Sequence, residues 1–306
     1  MNTTLPADVT EFAGSARRRL QQLGGPDLAL RAERDRSLRE PIAAALAEIG
    51  AYELEPRTDT EQFLAAAALC RVGGGLALPW PLVEELLAVD GRRLALVDPK
   101  NPRVDHGDLP GDWLGSDLAG AAFQLRIGEP RRAKLGPFLV PAARGADHPS
   151  IDLEDVARHV VLGSWRVLGC IEAAFGQVVE HVTVRKQFGK PLADFQTVRF
   201  AVADASVALR GLEELAKYTA WRLGTASPPR RYVDALVLRL SAVDTATQVL
   251  RTCHQLLGAV GFCDEHDVSV FDRHLQPLLR LPESAERLAL RLTPAVRAGE
   301  LETLFS

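Results

Sequence analysis

Two short stretches carry the side chains best suited to chemistry. The first, "RKQFGKPLADFQ" (185–196), places Arg185 just ahead of Phe188 at a Phe-Gly-Lys-Pro corner and ends on Gln196. An arginine fork is planar, permanently charged and able to hold two oxygens of a pyrophosphate at once. Phe188 offers a flat apolar face. The second stretch, "QLLGAVGF" (255–262), holds Gln255, Gly258 and Gly261. A missing side chain lets backbone approach a ligand closely. Taken singly, each residue also has a plainer role. Arg185 can be a solvated helix-end cation, Gln196 and Gln255 ordinary polar helix residues, and Gly258 with Gly261 a helix C-cap. Lys186 and Lys190 read as solvated.

Helices must position these residues. Residues 7–23 and 37–49 are amphipathic and end at glycines. In 59–88, Asp59 is a suitable N-cap, and the Gly73-Gly74-Gly75 and Pro79/Pro81 clusters split the run into two helices. From about 93 to 150, short apolar runs alternate with Pro, Gly and Asp, which predicts a small β region. From Asp152 long helices return. Val161, Leu168, Ile171, Phe175, Val178 and Val182 share one face. Phe195, Val198, Val202, Ala205, Leu209, Leu212 and Ala216 follow in the alternating steps of three and four that a bundle seam requires. A third helix over 229–257 carries Val233, Leu236, Leu240, Val243 and Leu250, and shorter helices are expected over 264–277 and 283–304. The expected fold is mainly α with a small β middle: an N-terminal helical domain (1–92), a reduced β domain (93–150) and a C-terminal helical bundle (151–306).

The bulk composition excludes some classes. Of 306 residues, 47% are hydrophobic and 25% charged, as in ordinary globular chains. A net charge of −4 gives no electrostatic case for nucleic acid or an anionic membrane. No apolar run of about 18 or more residues, and so no transmembrane helix, is expected, and the N-terminus lacks signal-peptide character. The four cysteines are scattered without a CxxC pair. Reduced thiols, no metal site and a cytoplasmic location are therefore expected.

The two stretches together resemble the acyl-CoA dehydrogenase superfamily. There an Arg-x-x-Phe-Gly corner joins two bundle helices, a Gln follows shortly after, and a Gln-x-x-Gly-Gly-x-Gly-Phe stretch lies further on. "QLLGAVGFCDEHDVSVFDR" is similar to that stretch and the segment after it. The resemblance covers most of the chain, strongly over 152–275. It implies a C-terminal four-helix bundle and a site for the ADP half of an FAD whose flavin sits mainly in a neighbouring subunit. By that resemblance Arg185, Phe188, Gln196, Gln255 and Gly258 bind cofactor, with Gly261 in the same loop and Ala259 where the second glycine normally stands.

The family's catalytic carboxylate is not matched. One of its two usual places falls on "LPES", with Pro282 at the glutamate position and Glu283 one residue late. The other falls on His159. The middle region keeps only "LVDP" and "LGSD" as remnants of the flavin-covering stretches. This pattern resembles the non-catalytic β-type subunit of the α2β2 heterotetramers of actinobacteria. The resemblance implies a catalytic acyl-CoA dehydrogenase subunit as partner and FAD shared across the interface. It also implies electron-transfer flavoprotein as acceptor and an acyl-CoA substrate, such as a steroid side-chain thioester, bound mainly by the partner. The alternatives are a self-sufficient homo-oligomeric dehydrogenase with Glu283 as base, and a non-enzymatic helical scaffold without cofactor.

Overall fold

The structure, a computed structural model, describes residues 4–131 and 133–297. The N-terminal part is helical. α1 (Ala7–Gln21) and α3 (Glu40–Glu48) bury one face each, including Leu20, Ile42 and Leu46. Between them lies α2 (Pro26–Ala32), too short to show a period in the sequence. It starts as helices often do, with proline at the first position. α4 (Thr60–Gly75) begins at Asp59, whose carboxylate accepts from the Gln62 amide at 2.8 Å. The expected split after it is present, and α5 (Leu82–Leu86) follows the two prolines. The glycines, however, form the last turn of α4 rather than a gap.

Residues 93–148 form a five-stranded sheet: β1 (Arg93–Leu96), β2 (Arg103–Asp105), β3 (Trp113–Ser116), β4 (Ala122–Ile127) and β5 (Leu139–His148). The strand order is β1-β3-β4-β5-β2; β1 and β3 run parallel and the other neighbours antiparallel. A small core of Val97, Val104, Trp113, Phe123 and Leu125 fills one side of it. Leu94, Leu96 and Leu114 join the main helical core.

The C-terminal half holds α6 (Leu153–Val184), α7 (Gln196–Thr225), α8 (Pro228–Leu257), α9 (Asp267–Arg280) and α10 (Ala285–Arg297). Asp152 caps α6 by accepting from the Glu154 amide at 2.9 Å. Glu154 and Asp155 then face the positive helix end. The predicted seams are the core: Val161, Leu168, Ile171, Val178, Leu209, Leu212, Leu236 and Leu250 are all buried. Phe175, Val198, Val202, Val233 and Leu240 are half-buried at the margins. α9 starts later than expected because the His266 ring accepts from the Val268 amide and sets the N-cap. The expected run of the last helix to residue 304 extends beyond the described residues.

α6 corrects one expectation. By length and composition it is a helix that could cross a membrane, although Arg166 and Glu172 interrupt its apolar run. Its apolar residues, from Val156 to Val182, instead form the centre of the bundle core, against α4, α8 and α9.

Candidate functional site

α6 stops at Val184, and Arg185 leaves the helix in extended conformation. Lys186–Gln187 then pairs with Lys190–Pro191 as a small hairpin, β6 and β7. That leaves Phe188-Gly189 as a two-residue turn, with φ of 51° and 79°. Two positive φ values in sequence define a type I′ turn, which Asn-Gly or Asp-Gly usually fills. Phe188 takes that position with 92% of its surface exposed. Its ring lies edge-on to Phe195 at 6.4 Å, and the Lys190 ammonium sits 4.3 Å over the Phe195 ring. Lys190 is therefore exposed but not merely solvated. Gln196 opens α7. The side chains of Arg185, Gln196 and Gln255 are exposed and have no hydrogen-bond or ion-pair partner among the described residues.

At the end of α8, Gly258 adopts φ 62°, ψ −139°, a region open essentially only to glycine. A Cβ there would meet nothing within 4 Å, so its backbone angles, not crowding, require glycine. Gly258–Phe262 then make a 3-10 turn. Gly258, Ala259 and Val260 are exposed. Gly261 differs from expectation. It is buried, and a Cβ on it would stand 2.9 Å from the Leu257 Cβ. The space it opens is filled by its own helix.

The chain reverses between α6 and α7 and again between α7 and α8. The C-terminal ends of α6 and α8 and the start of α7 therefore share one end of the bundle. A hydrogen bond from Gln177 to Asp267, 2.8 Å, ties α6 to the segment just after the glycine loop. So all seven expected cofactor-side residues, from Arg185 to Gly261, lie at that end. Three supporting residues were missed in the sequence. The Gly261 carbonyl accepts from His254 Nδ1 at 2.8 Å and from Ser269 Oγ at 2.6 Å, while His254 Nε2 meets Asp272 at 3.1 Å. Asp272 pushes the His254 pKa up. A histidine in the last turn of a helix is a recognisable signal, but its partner arrives from another helix.

The opposite region, between the sheet and the bundle, holds the candidate bases. A cavity of about 60 Å³ lies there, lined by Glu84, Asp105, His159, Arg239 and Pro282 among others. Burial pushes Glu84 up to about 7 and Asp105 up to about 6, with the Arg166 charge opposing. Burial pushes His159 down to about 4, and its Nε2 holds the Leu94 carbonyl at 2.9 Å. His159 is thus a tether between α6 and β1. Arg239 donates to the carbonyls of Leu278 and Leu281. Glu283 lies outside, on an open groove of about 350 Å³, ion-paired with Arg291 at 2.5 Å. Pockets that enclose a molecule the size of a flavin ring run to about 300–1,000 Å³. The cavity of about 60 Å³ has room only for a few waters.

Comparison with known proteins accounts for the bundle. Residues 158–279 match the family model of the acyl-CoA dehydrogenase C-terminal domain. The short-chain-specific acyl-CoA dehydrogenase of Megasphaera elsdenii is 30% identical over 130 residues, covering 42% of this chain and 33% of that protein. The match thus spans about a third of that relative's length. Among solved structures, the ChsE4-ChsE5 complex from Mycobacterium tuberculosis aligns with a TM-score of 0.78 at 16% identity, over 99% of this chain and 100% of that one. A variant of the Tcur3481-Tcur3483 steroid ACAD aligns with a TM-score of 0.78 at 18% identity, over 97% and 99%. Both structural matches reflect a shared fold. Over residues 158–279 this chain therefore matches the acyl-CoA dehydrogenase C-terminal domain, and its overall fold is the one these structures share.

Proposed function

We propose that this chain completes the FAD site of a partner acyl-CoA dehydrogenase subunit in a heterotetramer. The observation that carries the reading is the contrast between the two regions. At the bundle end, Arg185, Gln196 and Gln255 are exposed without partners among the described residues, beside the exposed Phe188. Between sheet and bundle, the cavity is about 60 Å³ and lined by the chain's own polar groups. The first arrangement suits the ADP half of a shared FAD; the second does not suit a flavin ring.

In this reading Arg185 holds the pyrophosphate through paired donors. Phe188 covers an apolar face of the nucleotide. Gln196 and Gln255 supply amide donors and acceptors, and the Gly258–Ala259 backbone lines the approach. The chemistry supplied by bound FAD is acceptance of a hydride from the acyl-CoA, and the partner supplies the base. The substrate class is an acyl-CoA thioester undergoing α,β-dehydrogenation, with electrons passing to electron-transfer flavoprotein. Likeness in fold to the ChsE4-ChsE5 complex and to a steroid ACAD supports a heteromer and a steroid-derived substrate.

The test is flavin absorbance of the chain purified alone, then co-purified with a co-expressed full-length acyl-CoA dehydrogenase subunit from the same genome. The expected result is colourless alone and yellow together, with the Arg185→Ala pair bleached. Flavin in the chain alone would instead favour a self-sufficient enzyme, with Glu283→Gln as the next variant. No flavin in either sample would favour a scaffold.

A further inference from the structure

We propose that His254 and Asp272 form a positioning pair that holds the Gly258–Gly261 loop in register for the cofactor, and that its hold depends on a proton. The inference rests on the half-site reading above. Geometry carries it. Both nitrogens of the His254 ring face acceptors: the Gly261 carbonyl at 2.8 Å and the Asp272 carboxylate at 3.1 Å. A neutral imidazole has one N–H and can serve one acceptor; only the imidazolium serves both. Asp272 is itself fixed, because the Gln276 amide donates to its other oxygen at 2.6 Å. The Phe262 ring stacks over His254 at 5.2 Å and screens it from solvent. The result is a relay of contacts from Gln276 through Asp272 and His254 to the loop carbonyl.

The charged groups set against His254 come from two sides. Asp272 of α9 attracts the proton, and it is the largest cause of the raised pKa. Burial lowers the pKa of His266, at the N-cap of α9, and the His254 charge pushes it the same way. His181 of α6 stands beyond His266 and acts on it. On deprotonation, His254 loses one of its two bonds. Ser269 alone then holds the Gly261 carbonyl firmly, at 2.6 Å. The exposed Gly258–Val260 backbone is then held less tightly in its cofactor-ready position.

Two measurements test this. The first is an NMR titration of His254 in the chain alone. The midpoint is expected above that of an ordinary histidine, and Asp272→Asn is expected to lower it. An unshifted midpoint overturns the pair. The second is FAD retained by the co-purified complex after gel filtration, between about pH 6 and about pH 9. Retention is expected to weaken by roughly tenfold in affinity as pH rises through the NMR midpoint, the worth of one charge-assisted hydrogen bond. His254→Gln, which keeps a donor but does not titrate, is expected to flatten that dependence. If His254→Gln keeps the native pH profile while Arg185→Ala bleaches the complex, the positioning role is wrong and the half-site stands. If Arg185→Ala leaves FAD unchanged, the half-site reading falls and takes this inference with it.

Discussion

Gly169 of α6 lies flat against the backbone of Arg71 in α4. A Cβ on Gly169 would overlap the Arg71 carbonyl, and one on Gly74 would overlap the Arg166 carbonyl. The two helices meet backbone to backbone, which only glycine allows. The Arg71 side chain then reaches Glu172 at 2.6 Å and Glu213 at 3.0 Å, joining α4, α6 and α7. Gly169→Ala is expected to force the helices apart and cost about 3 kcal/mol, read as a lower urea midpoint. Gly176, exposed and with nothing within 4 Å of a built Cβ, is the control. Gly176→Ala is expected to stabilise by up to about 1 kcal/mol through helix propensity. Equal midpoints for the two variants would refute the close approach.

The same glycines show what the sequence made legible and what it hid. The seams of α6, α7 and α8 were readable because a long helix repeats its period many times. The Asp59 and Asp152 caps were readable because capping is local. The glycine run after Val72 was read as a break, since glycine weakens a helix. Its role in α4 depends on a helix about a hundred residues away, which no local pattern encodes. The residues proposed to face the cofactor were picked out through the family resemblance alone. His254 and Asp272 were not, because a pair joining α8 to α9 leaves no spacing rule.

Arg239 anchors the α9–α10 connection beside the cavity between the sheet and the bundle. It is buried and donates to the Leu278 and Leu281 carbonyls, where burial alone lowers its pKa to about 10. Arg239→Met keeps the volume and removes the donors. Two part-buried carbonyls deprived of this donor are expected to cost about 2 kcal/mol together. Faster hydrogen exchange is expected at the α9–α10 connection, around Pro282 and Glu283. Unchanged exchange there would show that Arg239 does not hold the connection.

Glu84 and Asp105 give the chain a pH dependence of definite sign. Their folded pKa values, about 7 and about 6, stand above the ordinary 4.5 and 3.8. The folded state therefore favours the protonated forms. Their contribution to stability is full below the ordinary values and is lost as pH rises through about 6 and about 7. His159 acts the other way, losing stability as pH falls from 6.5 toward about 4. Glu84→Gln isolates the carboxylate. Its stability relative to the unsubstituted chain is expected to rise by on the order of 2 kcal/mol between about pH 5 and about pH 8. Urea unfolding at the two pH values measures it. A constant difference would mean that Glu84 does not titrate in this range.

Phe188 separates stability from function most cleanly. A bulky residue in left-handed backbone, at φ 51°, costs on the order of 1 kcal/mol relative to asparagine. Its ring recovers little of that cost, being 92% exposed. The turn itself would be better served by Asn-Gly. Phe188→Asn is therefore expected to leave the melting temperature of the chain alone unchanged or a few degrees higher, about 2–4 °C. In the complex the same change removes the flat face offered to the nucleotide. FAD affinity is expected to fall by about tenfold, the worth of one stacking contact. If Phe188→Asn lowers stability and leaves FAD untouched, Phe188 serves its own chain, and the half-site loses one of its members.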